Sequence, residues 1–285
     1  MRDHQLLLLW RKAQYQGHLQ LQMVIQEEDS SFYEQLQQAL GRLLPVSAAP
    51  LCGPADLTLG RVRQDALQLL FDDVARLHPE AGRHYWNAHT WRTCMWVPVY
   101  TTILTYEHHR CLVDARQMQI RFAEGLAKQV YLPEQAITRA ISDEMAPATA
   151  LAESLEQIRE QLNTITPLAA KLAGRHTADS VLAALLLYYH DLPQFNNAHI
   201  RVRGQIWLSA IGLASESGYL DVDMSGYGLP DRLSLNRRVC CQYFRCPNAP
   251  LCSNCPKIPL QERLPLLARD WAEHDRAHAE TKDEP

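Results

Sequence analysis

The chain has 285 residues, 47% hydrophobic and 21% charged, with a formal net charge of -4. A chain of that length buries a core without cross-links, and its composition excludes a disordered or fibrous protein. The slight acidic balance offers no footing for a polyanion, so no nucleic-acid partner is expected.

The first residues, "MRDHQLLLLW", hold an apolar run too short for a secretory signal, with no small-residue cleavage site after it. No stretch approaches the eighteen or so apolar residues of a membrane span, and the longest candidate, Val181 to Tyr189, ends in His190-Asp191. A cytoplasmic protein without an integral membrane segment is expected. Residues 30 to 44 open with serines and place Phe32, Leu36, Leu40 and Leu43 or Leu44 at helical spacing, which predicts a capped amphipathic helix. A linker from Pro45 to Pro54 follows. Arg61 to Leu77 sets Val62, Leu67, Leu70 and Val74 on one side and stops before Pro79, again helical. From Tyr85 to Tyr106, "YWNAHTWRTCMWVPVYTTILTY" predicts a buried helix kinked near Pro98.

After "EHHR" the period changes. Met118, Ile120 and Phe122 alternate with Gln and Arg, then come a glycine turn, Val130 and Leu132, which predicts a β-hairpin within residues 111 to 132. Met145 to Leu172 reads as one long amphipathic helix bent at Pro167, with further helices over Thr177 to Tyr189 and Arg203 to Leu213. Short strands are predicted over Tyr219 to Val222 and Leu233 to Leu235, and a final helix over "LQERLPLLARDWAEHDRAHAE". The fold class is therefore α+β, predominantly helical with small antiparallel β elements. An N-terminal helical segment (1–58), an α+β domain (59–235) and a C-terminal cysteine segment with its helix (236–285) divide the chain.

Five of the eight cysteines, Cys240, Cys241, Cys246, Cys252 and Cys255, fall in "RRVCCQYFRCPNAPLCSNCP". In a reducing cytosol such a density points to metal or redox chemistry rather than disulfides. Cys252 and Cys255 form a C-x2-C pair, whose thiolates converge on one ion. Cys240 and Cys241 are adjacent, and neighbours in an extended chain point to opposite faces, so closing them on a single zinc requires a strained turn. A centre with two irons presents ligand positions over a wider arc, and four thiolates around a [2Fe-2S] cluster fit that arc. A structural zinc module on a non-enzymatic interaction protein is the alternative, and an iron-sulfur sensor switched at Cys246 is a third reading, for which no recognition helix is evident. Arg237, Arg238 and Arg245 lie close in sequence and would stabilise negative charge on thiolates and cluster.

The pattern C-C-x10-C-x2-C, with Arg237-Arg238 before it and Pro256 after, resembles the C-terminal signature of the FhuF-type ferric siderophore reductases. The Trp-rich "YWNAHTWRTCMWVPVY" and the approach "LSLNRRVCC" look like a siderophore-iron reductase subgroup of that family. The resemblance implies that Cys240, Cys241, Cys252 and Cys255 hold a [2Fe-2S] cluster. It also implies that one electron passes to Fe(III) in a siderophore, and that Fe(II) is then released because hard oxygen chelators hold it less tightly. Arg237, Arg238 and Arg245 become candidate contacts to the chelate, and Cys246 departs from the four-cysteine pattern. There is no P-loop, and "GYGLPD" lacks the third glycine and strand-to-helix setting of a dinucleotide fingerprint, so it reads as a turn. A separate electron donor, such as a ferredoxin or a flavin reductase, is therefore expected.

The remaining polar groups carry plainer readings. Glu107-His108-His109-Arg110 reads as a polar helix terminus, and His190-Asp191 as a helix-end cap against Pro193. Trp86, Trp91 and Trp96 read as core, while Arg83, His84, His89 and Arg92 are weak candidates to attract an anionic chelate. Cys52, Cys94 and Cys111 read as small buried side chains.

Overall fold

The computed structural model describes residues 41, 49–53, 56–139, 143, 145–190 and 192–282. All but residue 41 of the helix expected over residues 30 to 44, and half of the linker after it, lie outside the described residues. The rest is α+β and predominantly helical, with three small antiparallel sheets.

The organising element is α2 (Gly82–His109), which follows β1 (Asp56–Thr58) and α1 (Gln64–Leu77). From Ala88 to Glu107 nearly every side chain of α2 is buried, including Trp91, Met95, Tyr100 and Ile103. A helix apolar on all faces belongs in the middle of a core, and each such side chain contributes about 1.5–3 kcal/mol by leaving water. Pro98 sits inside this helix without ending it, removing one ladder hydrogen bond. Trp86 and Trp96 pack at the edge of the core and Trp91 within it, so the core reading of the tryptophans holds.

The expected hairpin forms as β3 (Gln119–Ala123) and β4 (Leu126–Tyr131), after the short β2 (Leu112–Val113). Met118, Ile120 and Phe122 face the core. Glu124 and Gly125 make the two-residue turn with φ of 54° and 71°, the left-handed pair that suits a tight hairpin. Its tip is fastened to α2: the Gly125 carbonyl lies 3.1 Å from His89 Nε2 and accepts from Thr93 Oγ1 at 3.2 Å. β1 pairs with β3, and β2 with β5 (Ile137–Thr138).

Past this sheet the sequence reading needs correction. Pro167 does not bend one long helix; it separates α3 (Ala146–Ile165) from α4 (Ala170–Tyr189). The residue before a proline is pushed out of the helical region, and Thr166 adopts φ -148°, ψ 137°. The break is anchored to α2, since Asn87 Nδ2 donates to Pro167 O at 2.8 Å and Arg83 Nε to Thr166 Oγ1 at 3.1 Å. The next helix, α5 (Asn197–Ala210), begins before the expected Arg203, because Asn196 caps it by accepting from His199 N at 2.9 Å. Gly204 lets α5 approach closely: a Cβ there would lie 2.8 Å from Leu182 and 2.9 Å from Tyr219.

β6 (Tyr219–Val222) and β7 (Arg232–Leu235) pair antiparallel as predicted, and "GYGLPD" lies in the turn between them, with Gly228 at φ 67°. α6 (Leu260–Lys282) closes the described chain and packs Leu267 and Trp271 against Val222 and Met224. No helix among the described residues is long and apolar enough to cross a membrane.

"EHHR" is also more than a polar terminus. Glu107, wholly buried, accepts from Arg203 Nη2 at 2.6 Å, from Trp207 Nε1 at 2.6 Å and from Tyr189 Oη. His190 is the C-cap of α4 as read, its N–H donating to Leu186 O at 3.0 Å, and its ring also joins a cluster with Trp271, His274 and Asp275 on α6. Cys94 and Cys111 are buried as read, whereas Cys52 is exposed.

Candidate metal centre

The cysteine segment leaves β7 at Asn236, whose N–H donates to Gly218 O at 2.8 Å, and crosses beside α2 and α4 before α6 begins. Three local devices shape it. Gln242 takes a left-handed φ of 62°, and its N–H donates to Cys240 Sγ at 3.4 Å. The turn Tyr243–Arg245 ends at Cys246, whose N–H donates to Tyr243 O at 2.9 Å. Cys255 N–H donates to Cys252 O at 2.9 Å, closing the C-x2-C loop, and Ser253 Oγ ties that loop to Asp270 on α6.

These turns bring four thiols together as two pairs. Cys240 Sγ lies 3.9 Å from Cys255 Sγ, and Cys241 Sγ 3.8 Å from Cys252 Sγ. Two sulfurs on one tetrahedral ion, with bonds of about 2.3 Å, are separated by about 3.8 Å. Each pair thus has the spacing of two ligands on one ion, and the adjacent cysteines fall in different pairs. All four are buried, with Cys240 and Cys252 each 9% exposed at the outer edge and Cys255 at 1%. The donors pull each other's protons apart. Cys255 is lowered to about 6, chiefly by the hydrogen bond from Cys240, and Cys241 falls well below the usual thiol range through bonds from Cys240 and Cys252. Cys240 and Cys252 rise correspondingly. Four soft donors, two of them ready to ionise, fit a thiolate-ligated metal centre.

Positive charge surrounds them from inside the protein. Arg237 is 4% exposed and donates Nε to Asp179 Oδ2 at 3.0 Å, while Ser217 Oγ donates to the other carboxylate oxygen at 2.6 Å. Burial would lower the guanidinium's pKa, but Asp179 and the Cys241 and Cys252 sulfurs more than reverse this, so Arg237 stays charged. Arg92 acts on the same two cysteines. His176, one turn before Asp179 on α4, is 1% exposed and held neutral first by burial and then by the charges of Arg92 and Arg237.

The sequence candidates therefore divide. Cys240, Cys241, Cys252 and Cys255 are brought together. Cys246 is turned elsewhere, its Sγ 3.8 Å from His78 Nδ1. Arg237 lies behind the cysteines, whereas Arg238 and Arg245 are exposed. Arg245 and Lys257 lie over the Phe244 ring at 5.7 and 4.9 Å from its centroid, a cationic pair beside the C-x2-C loop. Arg83 and His89 serve the α3–α4 break and the hairpin tip. Asp179 and His176 were missed; the signal available was a histidine and an aspartate one turn apart, just before the helix becomes wholly apolar at Val181.

No solved structure matches this chain. Residues 237–257 match the family model described as the FhuF 2Fe-2S C-terminal domain, with Cys240, Cys241, Cys252 and Cys255 spaced as in its motif, so this segment of the chain is similar to a [2Fe-2S]-binding domain.

Proposed function

We propose that the protein is a cytoplasmic ferric siderophore reductase in which Cys240, Cys241, Cys252 and Cys255 hold the cluster. The observation that carries this reading is the pair of Sγ···Sγ distances, 3.9 and 3.8 Å, at the outer edge of the core. We infer from the same distances that Cys240 and Cys255 share one iron and Cys241 and Cys252 the other. A [2Fe-2S] cluster bound there supplies one electron at a time. The protein's own residues do the rest: Arg237 and Arg92 balance thiolate charge from within, and the slightly exposed Cys240 and Cys252 mark the edge that a chelate approaches. Arg238 and Arg245 offer the exposed cations for an anionic or polar siderophore. Siderophore-bound Fe(III) takes one electron and leaves as Fe(II). The electron comes from a separate donor, such as a ferredoxin or a flavin reductase; the sequence shows no P-loop, and "GYGLPD" lacks the dinucleotide fingerprint.

The test is metal and acid-labile sulfide analysis of anaerobically purified protein, followed by addition of a ferric hydroxamate to the dithionite-reduced form. About two irons and two sulfides per chain are expected, with the oxidised visible spectrum returning on addition of the chelate. Zinc without sulfide would replace this reading with a structural zinc module. A cluster that ferric chelates never reoxidise would leave an iron-sulfur protein with another electron acceptor.

The buried ion pair makes a further prediction. Asp179→Asn keeps the shape of the partner to Arg237 and removes one negative charge. The reduction potential, read by anaerobic redox titration, is expected to become more positive, because the reduced centre carries more negative charge. An unchanged potential would mean that the pair only positions the loop.

A further inference from the structure

Cys246 is the thiol left over by the four-cysteine pattern, and the chain gives it different company. His78 follows α1, and Glu80 lies two residues on, in the turn Pro79–Ala81. That turn packs against the turn Tyr243–Arg245, which ends at Cys246. One sulfur, one imidazole nitrogen and one carboxylate oxygen are thereby gathered with all ligand atoms within 4.8 Å of one another.

The geometry suits an ion. Bonds of about 2.3 Å to sulfur and about 2.0–2.1 Å to nitrogen, at a tetrahedral angle, place those two atoms about 3.6 Å apart; here they are 3.8 Å apart. The backbone of His78 is held before any ligand arrives, because its carbonyl accepts from Trp86 Nε1 at 2.7 Å and from Ala81 N at 3.2 Å, and its ring packs edge-on against Tyr85 at 5.2 Å. His78 and Cys246 are each 6% exposed, whereas Glu80 is exposed, so the trio has a closed, softer side and a hard oxygen donor facing solvent. Three protein donors with a solvent-facing side leave a coordination position for water.

A second trio with similar spacing, His190, His274 and Asp275, is different. There Arg232 Nη2 already donates to Asp275 Oδ2 at 2.8 Å, and a fixed cation at the carboxylate opposes a second one.

We propose that His78, Glu80 and Cys246 bind one divalent transition-metal ion, ferrous iron, at a site separate from the four-cysteine centre. Binding displaces the Cys246 thiol proton to solvent and needs no change of oxidation state. The identity of the ion rests on the reductase reading: Fe(II) is the product, and the loop carrying Cys246 also carries the cluster cysteines, so the freed ion finds thiolate, imidazole and carboxylate beside the place of its release. The binding itself does not depend on that reading.

The experiment uses the full holoprotein with natural-abundance cluster iron, titrated anaerobically with Fe(II) enriched in the Mössbauer-active isotope, with neither siderophore nor electron donor present. One added ion per chain is expected after ultrafiltration, giving a high-spin ferrous signal distinct from that of the cluster. Cys246→Ser and His78→Ala are each expected to weaken retention by at least about tenfold while the visible spectrum of the cluster persists, with a smaller loss in Glu80→Gln. Failure of the wild-type protein to retain the ion, or equal retention by cluster-bearing Cys246→Ser and His78→Ala, would overturn the site and leave an ordinary thiol–imidazole hydrogen bond. Should Cys246→Ser lose its cluster, His78→Ala, far away in sequence, decides the question. A protein that binds Fe(II) yet reduces no chelate would overturn the reductase reading alone.

Discussion

Cys240→Ser and Cys255→Ser proteins are expected to purify with most of their iron and sulfide lost and with the visible absorption collapsed. The two residues form one of the two close sulfur pairs, 3.9 Å apart, so either change leaves one proposed iron with a single protein thiolate. Serine is a poor substitute at neutral pH, because a hydroxyl is far less acidic than a thiol, and Cys255 is lowered further by the hydrogen bond from Cys240. Cys241→Ser and Cys252→Ser are expected to behave alike for the other pair. Cys246→Ser is the control: its sulfur points to His78 rather than into either pair, and its spectrum is expected to match wild type. Iron lost in Cys246→Ser but kept in Cys240→Ser would refute the ligand assignment. The readout is iron and sulfide per chain with the visible and electron paramagnetic resonance spectra, all on anaerobic material.

Glu107→Ala is expected to cost about 3–5 kcal/mol of folding stability, the usual loss when one partner of a buried ion pair is removed. The size follows from what is stranded. Arg203, with 8% of its side chain exposed, loses the carboxylate that accepts two of its N–H groups, at 3.2 and 2.6 Å. Trp207 Nε1 and Tyr189 Oη lose their acceptor in the same step. A loss of that size is a large share of a domain's stability, so urea denaturation at neutral pH is expected to show a markedly lower midpoint. The double variant Glu107→Met, Arg203→Met removes both charges, and it is expected to recover much of the loss, since a buried pair is often replaceable by apolar side chains of similar volume. A single variant as stable as wild type would mean that water reaches the site and that α2, α4 and α5 are not locked there.

Both results depend on residues whose roles differed in legibility. The cysteines could be read directly, because their chemistry depends on spacing within sixteen residues of one loop. The hairpin was equally legible: Met118, Ile120 and Phe122 alternate with polar residues, and that period is the physical requirement of a sheet with one buried face. The antiparallel pair of β6 and β7 also followed, since short alternating runs flanked a turn rich in glycine and proline.

Misreadings arose where a local signal had two structural meanings. Pro167 can kink a helix or end it; here Asn87 and Arg83 reach across from α2 to capture the exposed ends, and the chain breaks. Arg83 and His89 looked available for a chelate, since the sequence does not show which side of a wholly buried helix meets the hairpin and which the α3–α4 break. Arg237 looked like a surface cation because it stands beside Arg238, yet neighbours leaving a strand point in opposite directions, and only Arg238 reaches solvent.

By itself the sequence determined the clustering of the four cysteines, the helical character, the hairpin and the two-stranded ribbon, because each rests on composition or period over a few turns of chain. Tertiary structure alone decided which charges stand behind the donors. Asp179 meets Arg237 across 58 residues, and Glu107 meets Arg203 and Trp207 across 96 and 100. It also decided that Cys246 faces a histidine 168 residues away instead of its neighbouring thiols. Such pairings have no period to read. They form because a buried charge or thiol must find its partner among whatever side chains the packing of α2, α4 and α5 brings within reach.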